Sequence, residues 1–135
     1  MNIKMAKEWL KASQDDIKVI RNIIDLGDLT HIVAFHSQQS IEKSLKALLE
    51  YQNKPVPKIH KITKLITNLD GFIIYDKELI KLLDSLYIES RYPGDMGLLP
   101  YGKPTLEDAK QFYEFANDIF NKICKVLDVE RDSLK

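Results

Sequence analysis

The sequence has few of the residues on which small disulfide-rich or loop-rich proteins depend. Its 135 residues include one cysteine, five glycines and five prolines. A single cysteine excludes an internal disulfide, and Cys124 lies in an apolar helical pattern, so we expect a buried thiol. No segment approaches the ~18 apolar residues that a membrane span needs, and the amino terminus lacks a signal-peptide core. These absences predict one cytoplasmic domain, residues 1–135, with no membrane partner.

Net charge is also lacking, because 20 basic residues balance 20 acidic ones. The net charge of the whole molecule therefore gives no reason to expect nonspecific binding to nucleic acid or to membranes. The distribution is uneven, however. From Lys43 to Lys64 there are six lysines and one acidic residue, Glu50, whereas the stretch from Asp70 to Glu89 is mainly acidic. Any basic surface must therefore be local.

Motifs for cofactors and common catalysis are missing. Neither glycine-rich phosphate loop, GxGxxG or GxxxxGK[ST], occurs, so a bound nucleotide would be held by side chains. The three histidines show no metal-ligand spacing, and His31 and His36 lie ~140° apart on one helix. We therefore predict no metal site and no bound cofactor, and the sequence does not identify catalytic residues.

Helical periodicity covers most of the chain. Apolar residues recur every three or four positions in the segments 3–26, 31–51, 60–69, 76–91 and 105–127. The first link is short, which implies an antiparallel helix pair. We therefore predict an all-α fold, an up-and-down four-helix bundle with one additional short helix.

Local signals predict where these helices begin and end. Gly27 suits a left-handed stop for the first helix, and Asp28 or Thr30 could cap the second. Asp76 should cap the fourth, and Thr105 with Asp108 resembles a capping box for the last. The proline-containing segment 52–58 and the glycine- and proline-rich segment 92–104 are predicted loops, and the tail from residue 130 is expected to fray.

A polar stripe distinguishes the second helix. It consists of residues at positions i, i+3, i+7, i+10 and i+14, namely His36, Gln39, Lys43, Lys46 and Glu50. Several donors on one rigid face could bind a phosphate together. The alternative is an ordinary solvated face, although nearby serines and glutamines are poor choices for one.

Two motifs resemble the HEPN family of helical domains. The first is FHSQQSIEKSLKALL, from Phe35 to Leu49, and the second is Arg91-Tyr92-Pro93. The resemblance implies a four-helix bundle similar to the C-terminal helical domain of kanamycin nucleotidyltransferase. It also implies nucleotide binding and a homodimer.

The resemblance suggests a first functional hypothesis. The chain would bind a nucleotide such as ATP, or position a substrate, for a separately encoded minimal nucleotidyltransferase within a toxin–antitoxin type pair. Contacts would come from the stripe and the second motif, that is, from His36, Gln39, Lys43, Lys46, Arg91 and Tyr92. In related antitoxin systems the partner modifies a loop tyrosine, for which Tyr101 is a candidate.

Two other hypotheses remain open. Ribonucleases of the family carry an arginine followed after four to six residues by a histidine, but no histidine follows His60 here. A ribonuclease toxin would therefore need a displaced set, with His36 or His60 folded close to Arg91. RNA is a possible partner but not the favoured one. Alternatively, the stripe could form a polar seam in a self-associating, noncatalytic module.

Overall fold

Five α-helices form the regular structure in this computed structural model, which describes residues 2–71, 76–89 and 103–134. They are α1 (Ile3–Ile23), α2 (Thr30–Tyr51), α3 (Ile62–Thr67), α4 (Lys77–Glu89) and α5 (Leu106–Leu127). Short 3-10 helices, Gly27–Leu29 and Arg131–Leu134, follow α1 and α5. No strand occurs in these described ranges. The all-α prediction, with four long helices and one short one, is confirmed, whereas the single domain of residues 1–135 stays a prediction.

Helix α2 lies at the centre of the bundle, where α1, α3, α4 and α5 all contact it. Helix α1 runs antiparallel to it. The Asn2 amide donates to the Glu50 carbonyl at one end of the pair (3.2 Å), and Asp16 meets His36 near the other. Every residue of α2 is buried or partly buried. The alternative of an ordinary solvated face is therefore wrong for α2.

The α1–α2 connection differs from the prediction. Gly27 does not adopt the left-handed conformation, and neither Asp28 nor Thr30 caps α2 through its side chain. Instead the Leu29 amide donates to the Leu26 carbonyl (3.0 Å), and the Thr30 hydroxyl donates to the carbonyl of Pro104. Because the 3-10 turn continues the backbone hydrogen bonding, the link needs neither a left-handed glycine nor a side-chain cap.

The segment between α2 and α4 is irregular, as its prolines predict, but α3 is shorter than expected. Its amino-terminal turn is fixed from outside, because the Ile62 and Thr63 amides donate to the buried Asp84 carboxylate of α4 (2.9 and 3.1 Å). Gly71 follows α3 with a φ of 71°, a conformation that glycine adopts at little cost.

The cap predictions for α4 and α5 are correct. The Leu79 amide donates to Asp76 Oδ1 (3.0 Å), and Thr105 and Asp108 form the reciprocal capping box. The frayed tail is wrong for residues 131–134. These form a 3-10 helix whose Leu134 is buried against the core, so apolar burial orders the end of the chain.

The core is assembled from all five helices. Its largest fully buried side chains include Leu10 and Ile17 of α1, Ile41 and Leu45 of α2, Leu65 of α3, Ile80 of α4, and Phe112 and Phe120 of α5. Cys124 joins this cluster, as predicted. Burial raises the pKa of its thiol to about 11, which keeps the thiol protonated and unreactive at neutral pH.

Candidate functional site

The polar stripe of α2 lies against α1 and is only partly accessible to solvent. Lys46 is buried, and His36 and Lys43 are each partly buried. The observation that Ser37, Gln38 and Ser40 suit a solvated face poorly was sound, but its cause is burial, since all three are inaccessible. Because α1 covers part of the stripe, little of it is left for the polar dimer seam considered as an alternative, which stays a prediction.

Asp16 of α1 forms hydrogen bonds with two residues of the stripe. Its Oδ1 accepts a hydrogen bond from His36 Nδ1, and its Oδ2 accepts one from Lys43 Nζ, each at 2.8 Å. The Asp16 side chain is 8% exposed, while those of His36 and Lys43 are each 25% exposed. We define these three residues as the Asp16 cluster. Its carboxylate offsets part of the positive charge that the stripe would offer to a phosphate.

Lys46 is also paired with a carboxylate. Its ammonium group lies 3.6 Å from Glu42 Oε2 and 5.2 Å from the centre of the Trp9 ring. Both side chains of this ion pair are nearly inaccessible, at 6% and 4% exposed. A buried lysine of this kind is stabilised by its carboxylate and by the aromatic face, and would have to leave both to contact a ligand.

Glu42 also positions a histidine. Its Oε1 accepts a hydrogen bond from His60 Nδ1 (2.8 Å), while the His60 carbonyl accepts one from the Gln38 side chain. A carboxylate only accepts hydrogen bonds, so Nδ1 carries the proton and Nε2 of the neutral ring is left as a base. The His60 side chain is 51% exposed, so this base is accessible from solvent.

Aromatic rings place His60 beside the end of α4. Its ring centre is 5.7 Å from that of Tyr87, and Tyr87 stacks on Phe35 at 5.5 Å. Phe35 in turn contacts the ring of His36 edge-on at 5.3 Å. Tyr87 precedes Arg91 by four positions in the sequence. The fold therefore brings both histidines towards the part of α4 that leads to the Arg91 motif.

Several predicted residues lie outside the described ranges, namely Arg91, Tyr92 and Tyr101. Their assignments stay predictions. Gln39 is described, and its side-chain amide donates to Gln38 Oε1 (2.9 Å), so it lies next to the residue that fixes the His60 backbone. Of the stripe residues, the fold thus brings His36 and Lys43 to one carboxylate and Lys46 to another.

Sequence reasoning missed Asp16 and Glu42, the two carboxylates that pair with residues of the stripe. A signal existed for Asp16, because Trp9, Ser13 and Asp16 follow the i, i+4, i+7 spacing of one helix face. All three contact α2, since Ser13 Oγ lies 2.8 Å from both Ser40 Oγ and Ser44 Oγ and the Trp9 ring faces Lys46. A carboxylate on a face otherwise made of buried residues indicates a buried partner of opposite charge.

Two features are absent from residues 2–71, 76–89 and 103–134. There, no group of three or more histidine, cysteine, aspartate or glutamate side chains is placed to hold a metal ion. None of the helices in the same ranges is long and apolar enough to cross a membrane. Burial lowers the pKa of His31, and the positive charge of Lys103 lowers it further, so the neutral form of this histidine is favoured.

The chain belongs to the HEPN domain family, whose model matches residues 6–127. A protein of Methanocaldococcus jannaschii named "Putative toxin MJ1304" is 28% identical to it over 99% of this chain and 91% of that protein. The crystal structure of TT1696 from Thermus thermophilus is similar, with a TM-score of 0.70 and 23% identity. The match covers 93% of this chain and 98% of that one, and it supports the fold alone.

Proposed function

We propose that this protein is the toxin of a toxin–antitoxin type pair, and that it cleaves RNA with His60 as the group that transfers protons. The name of the M. jannaschii relative supports the toxin role. The observation that carries the reaction is the hydrogen bond from His60 Nδ1 to the buried Glu42 carboxylate, beside the end of α4. This pairing orients an exposed ring nitrogen as a base.

The proposed step is transesterification of the RNA backbone. The ribose 2′-oxygen attacks the adjacent phosphorus, its proton passes to His60 Nε2, and the bond from phosphorus to the 5′-oxygen breaks. The leaving 5′-oxygen takes up a proton from water, the protonated His60 returns its proton to the resulting hydroxide, and the products carry a 2′,3′-cyclic phosphate and a 5′-hydroxyl. Arg91, which the family resemblance assigns to charge stabilisation, is proposed to neutralise the additional negative charge on the phosphate.

The test is a cleavage assay on unmodified RNA with wild-type protein, His60→Ala and the matched control His31→Ala. Loss of a general base should reduce the rate by ~100-fold or more, whereas the control should retain it. Cleavage products should carry a cyclic phosphate. Wild-type rates that persist in His60→Ala would exclude His60, and an inactive wild type that also leaves growth unaffected when expressed would reject the toxin role.

A second candidate function is nucleotide binding in support of a separately encoded minimal nucleotidyltransferase. It is favoured by the grouping of His36, Gln39 and Lys43, all partly exposed, along one edge of α2. Lys46, Arg91 and Tyr92 would complete the site, with ATP as a possible ligand and Tyr101 as a possible site of modification. In this proposal Lys43 breaks its ion pair with Asp16 and binds a phosphate instead.

Calorimetric titration with ATP at low and moderate salt tests this candidate. Lys43→Ala should weaken binding, while Asp16→Asn should strengthen it because the competing carboxylate is removed. The control is Lys7→Ala, an exposed lysine of α1 outside the cluster. Equal affinities in all four proteins would remove the stripe as a nucleotide site. The homodimer and the cytoplasmic location stay predictions.

A further inference from the structure

A basic segment lies beside His60 on the surface of the bundle. Residues 51–69 contain four lysines and no acidic residue, while the rest of the chain holds sixteen basic and twenty acidic residues. Three of these lysines, Lys58, Lys61 and Lys64, are exposed. We call these three residues the lysine segment. In a chain of zero net charge, such an excess is a local feature of the surface.

The backbone that carries the lysine segment is held in place, although most of it lies outside the helices. Glu42 and Gln38 fix His60, which lies between Lys58 and Lys61 in the sequence. Asp84 fixes the backbone of Ile62 and Thr63. The lysines therefore project from a backbone attached to both α2 and α4. A basic surface on a fixed backbone loses less conformational entropy on binding than one on a free loop.

The charges of the lysine segment are not neutralised within the described residues. There, Lys54 pairs with Asp70 at 2.8 Å, but Lys58, Lys61 and Lys64 form no ion pair with a carboxylate. The two buried carboxylates nearby, Glu42 and Asp84, are directed to His60 and to backbone amides. The three ammonium groups are thus available to an anionic partner.

The composition of this surface fits a nucleic acid better than a protein. The exposed large apolar side chains of the described residues lie elsewhere, at Met5, Val19, Leu26, Leu106 and Val126. Protein interfaces are depleted in lysine at their centres and enriched in aromatic and other apolar residues. Phosphate backbones are bound mainly by lysine and arginine, and a half-exposed imidazole offers a face on which a base can stack.

We propose that Lys58, Lys61 and Lys64 bind the phosphate backbone of single-stranded RNA and lead it across the ring of His60. This inference rests on the proposed RNA cleavage for its biological meaning, but its binding test does not require turnover. Lysines on both sides of one histidine would place successive phosphates near the base that removes the 2′-proton. The surface would bind without sequence preference, because phosphate contacts carry none.

The test uses a fluorescent 2′-O-methyl RNA, which cannot be cleaved by attack of the 2′-hydroxyl, and measures its binding by anisotropy at several salt concentrations. The variant is Lys58→Gln/Lys61→Gln/Lys64→Gln. The matched control is Lys7→Gln/Lys18→Gln/Lys110→Gln, which removes three exposed lysines from α1 and α5 and gives the same net charge. Melting followed by circular dichroism checks that both remain folded.

The segment variant should bind at least ~tenfold more weakly at low salt, and the slope of log K against log salt should fall by about 2, for three lost phosphate contacts. The control should resemble the wild type. Equal weakening in both variants, or no binding by the wild type, would overturn the inference. Competition by poly-L-glutamate as effective as that by RNA would also overturn it, in favour of an acidic protein partner.

The two proposals fail differently. If the wild type binds the modified RNA through the lysine segment but leaves unmodified RNA intact, the cleavage proposal is wrong and the binding surface stands. If the wild type cleaves RNA and the segment variant cleaves and binds it equally well, the binding surface is wrong and the cleavage proposal stands.

Discussion

Helix α2 has two main interfaces, of which the one with α1 contains several of its buried polar groups. Towards α1 it presents serines, lysines and a histidine, which meet Ser13, Asp16 and Trp9 in an antiparallel register. The core that it shares with α5 contains Phe112, Phe120 and aliphatic side chains instead. Apolar packing stabilises the bundle but tolerates alternative arrangements of similar volume. Paired polar groups stabilise less, but they are satisfied in one register, so the α1 interface specifies how the helices align.

The largest expected loss of stability comes from the apolar side. Phe120 is fully buried, so Phe120→Ala should lower the free energy of unfolding by about 3–5 kcal/mol, from lost burial and the cavity left behind. Urea denaturation at low and high salt measures it, and the loss should be the same at both. A strong salt dependence would show that the two interfaces are not separable.

The next largest loss should come from the Asp16 cluster. Asp16→Ala leaves Lys43 and His36 partly buried without their carboxylate, and we expect a loss of about 2–3 kcal/mol, reduced from the fully buried case because both partners retain some exposure. Asp16→Asn, which keeps the shape, should cost less. Urea denaturation of both variants tests this. A loss below about 0.5 kcal/mol for Asp16→Ala would mean that the cluster adds nothing to stability.

A smaller and more local effect is expected at Asp84. Asp84→Ala removes three hydrogen bonds, to the amides of Ile62 and Thr63 and to the Thr63 hydroxyl, at a cost of about 1–2 kcal/mol. Amide hydrogen exchange should quicken in residues 52–69 and remain slow in α5. Uniform acceleration across the chain would show that this segment unfolds together with the bundle.

The smallest effect at neutral pH concerns Cys124. Burial raises its pKa to about 11 from an ordinary value of 9.0, so the unfolded chain releases this proton before the folded one does. Stability is therefore unaffected at pH 7 and should fall between about pH 9 and 11. Cys124→Ala should lack this component of the alkaline loss. Rapid alkylation of the wild type at pH 7 would contradict a buried thiol.

Helix caps and the burial of single residues were predictable from the sequence because they depend on nearby residues. The capping box of Thr105 and Asp108, the Asp76 cap and the burial of Cys124 each depend on neighbours in the chain or on one helix face. The link at Gly27 and the end at Leu134 were mispredicted because contacts with other elements determine them.

The site was less predictable, since periodicity shows which residues share a face but not what covers it. His36, Lys43 and Lys46 do share a face, as predicted, but the spacing within α2 cannot reveal that Asp16, Glu42 and Trp9 occupy it. His60 was the reverse case. It stands at the junction between the proline-containing segment 52–58 and the short periodic segment 60–69, and its position depends on residues 18 and 22 positions earlier.

The attachment of His60 to α2 affects which insertions the chain can tolerate. Its ring and its backbone are both fixed by α2, through Glu42 and Gln38, which lie one turn apart on that helix. The preceding connector, with Asn53 in a left-handed conformation and Pro55 exposed, does not set its position. Insertions near Asn53 should therefore leave the histidine in place, as long as Gln38 and Glu42 keep their hydrogen bonds to it.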